Sequence, residues 1–130
     1  MGDLTQFIHT LARILAAIVL GGLLGVEREL HGHGAGFRTH IMVSLGAAMF
    51  VMAGISVANV SPTDLTRVIQ GVATGIGFLG AGTIIKLTDR LEVKGLTTAS
   101  SIWLASAVGI ATGLGRQTDV SEFSYQLATA

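Results

Sequence analysis

Cysteine is absent from the sequence, which excludes a disulfide framework and any thiol chemistry. Charge is scarce. Asp, Glu, Lys and Arg make up 12% of the residues, where a soluble domain carries about 25%. Acidic and basic residues cancel to a net charge of zero, so there is no electrostatic basis for holding nucleic acid. Proline occurs once, as Pro62, and aromatic residues make up 5% of the chain. The N-terminus, Met1-Gly2-Asp3-Leu4, has no basic stretch ahead of its apolar run. That makes it a poor cleavable signal peptide. Gln6 stands where a myristoylation signal has Ser or Thr. The first apolar segment is therefore expected to stay in the protein.

What remains is apolar and rich in glycine. Half of the 130 residues are hydrophobic and 18 are glycine. A soluble protein of this length lacks the interior to hide so much apolar surface, which points to a membrane protein. No charged residue occurs from Thr39 to Thr63, from Val68 to Ile85, or from Gly95 to Gly115, and a shorter gap runs from Ile14 to Val26. A membrane helix needs about 20 residues. The pattern predicts an all-α membrane domain over 1–116, a bundle of four helices at 7–26, 40–58, 68–86 and 98–115. The remainder, 117–130, reads as a polar tail or the start of a fifth helix. Arg28, Arg38, Lys86, Arg90 and Lys94 fall in the connections after the first and third helices, whereas Arg13, Arg67 and Arg116 fall on the other side. The excess of basic residues assigns connections 27–39 and 86–97 to the cytoplasm and the N-terminus to the outside.

A shift of 59 residues aligns Gly21 with Gly80, Gly36 with Gly95, Thr39 with Thr98 and Gly54 with Gly113. The matched segments form two hairpins inserted in the same sense, a parallel repeat.

The stretch "GIGFLGAG", from Gly75 to Gly82, has the G-x-G-x-x-G spacing of a dinucleotide loop. Such a loop needs a strand before it and a helix opening at it. Here the glycines lie inside a charge-free run, so no nucleotide is expected. Membrane packing accounts for them better: small residues four apart let two helices approach closely. Gly21 and Gly25, Gly71 and Gly75, and Gly109 and Gly113 are such pairs. Gly75, Gly77, Gly80 and Gly82 lie on several faces, which predicts a central third helix with contacts on more than one side. Glycine weakens a helix by about 1 kcal/mol each, so a local break there is a second expectation.

The connection "GVERELHGHGAGFRTH" places Glu27, Glu29, His31 and His33 at alternate positions. In an extended chain all four would face one way, as a divalent-metal site would require. In a helix only Glu27 and His31 share a face. Gly32, Gly34 and Gly36 leave the stretch poorly preorganised, and a solvated turn is the plainer reading. A Glu27–Arg38 pair could clamp the hairpin. Gly36-Phe37-Arg38-Thr39 and Gly95-Leu96-Thr97-Thr98 mark two helix starts, at which Thr can cap free amides. Two helix N-termini on one side, with Arg38 and Lys94 beside them, would attract an anion.

The segments "LGGLLGVERE", "AGFRTHIMVSLGAA", "GIGFLGAGTI" and "KGLTTASSIWLASAVGIATGLG" resemble, in order, the membrane domain of the MgtC/SapB family. The matching positions are Glu27, Arg28, Gly36, Arg38, Thr39, Gly75, Gly77, Phe78, Gly80, Gly82, Gly95, Thr97 and Thr98. The resemblance implies a bacterial inner-membrane protein, non-enzymatic and without cofactor. It would modulate a membrane partner such as ATP synthase in adaptation to low magnesium, acid or intracellular stress, a role linked to virulence in the family. Larger members have a fifth helix and a cytoplasmic C-terminal domain. A small oligomeric Mg²⁺ transporter or channel is the alternative.

Overall fold

Asp3, in the first turn of helix α1 (Gly2–Leu30), sets a negative charge against the helix dipole, and Arg28 in the last turn sets a positive one. α1 starts and ends outside the expected 7–26, because Glu27-Arg28-Glu29-Leu30 are good helix formers that carry it onward. In this computed structural model, residues 2–32, 34–57, 61–87, 92–115 and 129 are described. The tail expected at 117–130 lies outside the described residues apart from Thr129.

The chain re-enters as α2 (Phe37–Ser56) and then α3 (Pro62–Thr83). α3 starts ahead of the expected 68 because Ser61 caps it, its hydroxyl oxygen accepting from the Asp64 amide at 3.2 Å. Pro62 follows at the first helical position, where no amide hydrogen is needed. Strands β1 (Ile85–Leu87) and β2 (Glu92–Lys94) pair antiparallel, with Ile85 opposite Lys94. α3 therefore ends short of the expected 86, because Ile85 and Lys86 pair in this small ribbon instead of continuing the helix. α4 (Leu96–Leu114) closes the bundle.

α1, α2 and α4 each have the length and apolarity to cross a membrane. α3, the third of the four expected spans, has the length but falls short in apolarity, since glycine stands where larger apolar groups would be. The protein is an all-α membrane bundle with a small β ribbon on one connection.

The 59-residue repeat is visible in the structure. α2 begins at Phe37 and α4 at Leu96, positions one repeat apart. A Cβ on Gly21 would approach the carbonyl oxygen of His40, and one on Gly80 would touch Ala99. Both members of that second pair stand 59 residues after the first. α2 and α4 form the centre, with α1 and α3 outside them. The third helix is therefore not central, as the glycine distribution had suggested. Nor is it broken: α3 runs as one helix through Gly75, Gly77, Gly80 and Gly82. Four glycines weaken the helix without interrupting it, since each still contributes its backbone hydrogen bond.

Candidate functional site

α1, α2 and α4 meet so closely that glycine is required at the contacts. A Cβ on Gly21 would lie 2.7 Å from the Ser44 Cβ, and one on Gly25 would lie 2.7 Å from the Phe37 Cα. On α4, a Cβ on Gly109 would run into the Ser44 carbonyl, and one on Gly113 would stand 2.7 Å from the Ala48 carbonyl oxygen. These four of the predicted packing glycines act as expected.

The close approach brings buried polar groups together. His40 is 0% exposed. Its Nδ1 lies 2.8 Å from the Gly36 carbonyl, which can only accept, so Nδ1 carries the hydrogen. Its Nε2 lies 2.9 Å from Ser101 Oγ, and that hydroxyl lies 2.8 Å from the Thr98 carbonyl. Ser44 donates to the Ala17 carbonyl at 2.9 Å. Side-chain hydrogen bonds therefore join α2 to both α1 and α4 in the apolar interior, where an unmade bond is costly. His40, Ser44 and Ser101 did not stand out in the sequence. The signal was there: His40 and Ser44 are one helical turn apart on an otherwise apolar segment.

The residues carried by the family motifs divide sharply. Thr98 and Gly80 are buried, and Gly36 and Gly95 are half-buried. Arg38, Thr39 and Thr97 are exposed. The threonines do not cap: Gly36 and Gly95 hold the N-cap positions, and neither helix has a side-chain cap. Gly95 is needed there because its φ of 96° is left-handed and a Cβ would strike the Thr83 carbonyl. A Cβ on Gly71, Gly75, Gly77 or Gly82 would have nothing within 4 Å. Phe78 between them is 82% exposed. An apolar groove of about 620 Å³ runs between α2 and α3, lined by Met42, Gly46, Phe50, Gly71, Gly75 and Leu79 among others.

The charged corner differs from both sequence readings. Glu27 and Glu29 are helical, so the four alternate residues do not line up as they would in a strand; His33 lies outside the described residues. Among the described residues, no three His, Asp or Glu side chains gather closely enough to hold a metal. The Glu27–Arg38 clamp is not formed. Glu27 instead has the Arg28 guanidinium at 3.8 Å and His31 at 3.4 Å. The His31 ring is held by the Glu27 backbone carbonyl at 2.7 Å. Arg13, inside the first span, reaches the far end of α4 and lies 3.5 Å from the Gly113 carbonyl. A cation suits the negative end of a helix dipole there.

The sequence comparisons agree with this architecture. The family model described as "MgtC family" matches residues 14–121. The chain is 42% identical over 113 residues to Protein SrpB of Synechococcus elongatus, covering 79% of this chain and 62% of that protein. It is 44% identical over 107 residues to Protein MgtC of Brucella abortus, covering 82% of this chain and 43% of that protein. To Protein MgtC of Salmonella typhimurium it is 39% identical over 103 residues, covering 79% of this chain and 42% of that protein. The chain thus spans about half the length of the curated relatives it matches. No solved structure matches. With the matched region running from inside α1 to beyond the end of α4, the chain belongs to the MgtC family.

Proposed function

We propose that this protein is a non-enzymatic modulator of a membrane partner. It would act in the bacterial inner membrane in adaptation to low magnesium, acid or intracellular stress, with ATP synthase as the partner the family resemblance suggests. The observation that carries the reading is the open apolar groove of about 620 Å³ between α2 and α3, where Gly71 and Gly75, four residues apart, leave space that no side chain of the described residues fills. In lipid, apolar surface alone drives no association, and a flat glycine surface is what lets a second helix approach closely. The orientation that fits the basic residues puts the two hairpin connections in the cytoplasm.

The test is crosslinking and affinity capture of the intact protein from native membranes, comparing wild type with Gly75→Leu. Gly75 has free space around it, so the variant inserts normally and loses its partner. Unchanged crosslinking in Gly75→Leu overturns the reading. A homo-oligomer would appear in the same experiment as self-crosslinking lost in the variant. In liposomes, Mg²⁺ flux that depends on Glu27 would replace this reading with the transporter.

A further inference from the structure

We infer that Arg28 is the core of an oxyanion-binding site at the end of the bundle where α1 stops and α2 and α4 begin. The Arg28 side chain is only 12% exposed. Its Nε and Nη2 are buried and have no hydrogen-bond partner among the described residues. The remaining nitrogen, Nη1, has only Glu27 Oε2 at 3.8 Å, beyond hydrogen-bonding reach. Glu27 is itself 52% exposed and shared with His31. Glu29 makes no ion pair with Arg28; its carboxylate lies against Gly36, the N-cap of α2.

A guanidinium cannot escape burial by losing its proton. Leaving such a charge unpaired is strongly unfavourable even after the surroundings relax. The two unpaired nitrogens are adjacent donors on one edge of the group. That edge matches two oxygens of a phosphate-type anion in a bidentate pair.

The surroundings favour the same sign of ligand. Gly21, Gly25 and Arg28 follow one another along one face of α1, and a Cβ on Gly25 would press on the first turn of α2. Arg28 continues that face by one further turn. α2 and α4 run parallel, as the His40–Ser101 and Ser44–Gly109 contacts show, so both N-termini lie at this end. Neither has a side-chain cap. The dipoles of both helices favour an anion at this end, although the Glu29 carboxylate already lies beside the N-cap of α2. Arg38 in the first turn of α2 adds an exposed positive charge. The unpaired guanidinium carries the inference, and the helix ends complement it.

One chemistry, a phosphate-type oxyanion, could reach this site from a lipid headgroup or from solution. The experiment uses the full chain in maltoside micelles, which contain no phosphate, and follows the Arg28 Nε–H resonance by ¹H–¹⁵N NMR. One arm adds inorganic phosphate. The other adds phosphatidylglycerol, with native mass spectrometry to count retained lipid. Binding is expected to move the Arg28 resonance, and Arg28→Lys is expected to weaken it about tenfold by losing the two-pronged geometry. Saturation by phosphate assigns a soluble ligand; retention of phosphatidylglycerol without a response to phosphate assigns the headgroup. A resonance that neither addition moves overturns the site. So does equal phosphate affinity by calorimetric titration together with equal lipid retention by mass spectrometry in wild type, Arg28→Lys and Arg28→Gln, the two variants having no Nε–H resonance of their own at this position. The wild-type resonance decides the question even if a variant fails to fold.

Discussion

The hairpins α1–α2 and α3–α4 are built on one repeat, yet they use their glycines in opposite ways. In the first, Gly21 and Gly25 are buried against α2, with no room for a methyl group. In the second, the residue equivalent to Gly21 is Gly80, and a Cβ there would make an ordinary 3.6 Å contact with Ala99. A Cβ on Gly71, Gly75, Gly77 or Gly82 would meet nothing within 4 Å. One hairpin uses small residues to bring its own helices together, and the other leaves Gly71, Gly75 and Gly77 lining open grooves beside α2 and α4. The glycine content of a helix therefore does not reveal whether its partner lies inside the chain or outside it.

The largest effect that would break this comparison lies at the centre, which both hairpins share. Gly109→Ala forces a methyl group into the Ser44 carbonyl, and backbone cannot rotate aside as a side chain can. The helices must separate, and Ser44 loses its alignment with Ala17. Destabilisation of about 3 kcal/mol is expected, the upper end of ordinary overpacking costs. Thermal unfolding in detergent measures it, and a melting temperature equal to wild type would mean that α2 and α4 are not in this contact.

Gly21→Ala comes next and tests the tight hairpin. The added methyl group meets the Ser44 Cβ at 2.7 Å and the His40 carbonyl oxygen at 2.9 Å. A loss of about 2 kcal/mol is expected. The same substitution one repeat later, Gly80→Ala, should change the sign. The methyl group fits against Ala99, and alanine favours helix over glycine by about 0.5–1 kcal/mol. Opposite shifts at equivalent positions would sharpen the asymmetry. Equal losses at both would abolish it.

The bundle was legible in the sequence because charge is excluded from a membrane interior, and the gaps between charged residues marked the helices. Helix starts at Phe37 and Leu96 were close to the expected 40 and 98, since glycine precedes each. The site was less legible. Glycine spacing says that a helix can be approached closely, but not by what, so α3 was placed at the centre when it lies outside. The Glu27–Arg38 pair was drawn from opposite charges on adjacent segments. The register of α1 against α2, set by Gly25 on Phe37, leaves Glu27 beside Arg28 and His31 instead. His40 was hidden among apolar residues, and only the packing of α4 shows that its ring is shared with Ser101.

The smallest expected effect is at Gly75, and it separates helix stability from association. Gly75→Ala meets nothing in the chain, so the only change in the isolated protein is the helix preference, a gain of about 0.5 kcal/mol. Alanine is still small enough for close helix contact, so association should survive in Gly75→Ala and fail in Gly75→Leu. Both variants should melt within roughly a few degrees of wild type in detergent, consistent with so small a change in free energy. Crosslinking in membranes then reads association alone. If Gly75→Leu melts much earlier than Gly75→Ala, then α3 packs on this face against its own bundle. The open groove beside Gly75, and with it the contrast between the two hairpins, would then be wrong.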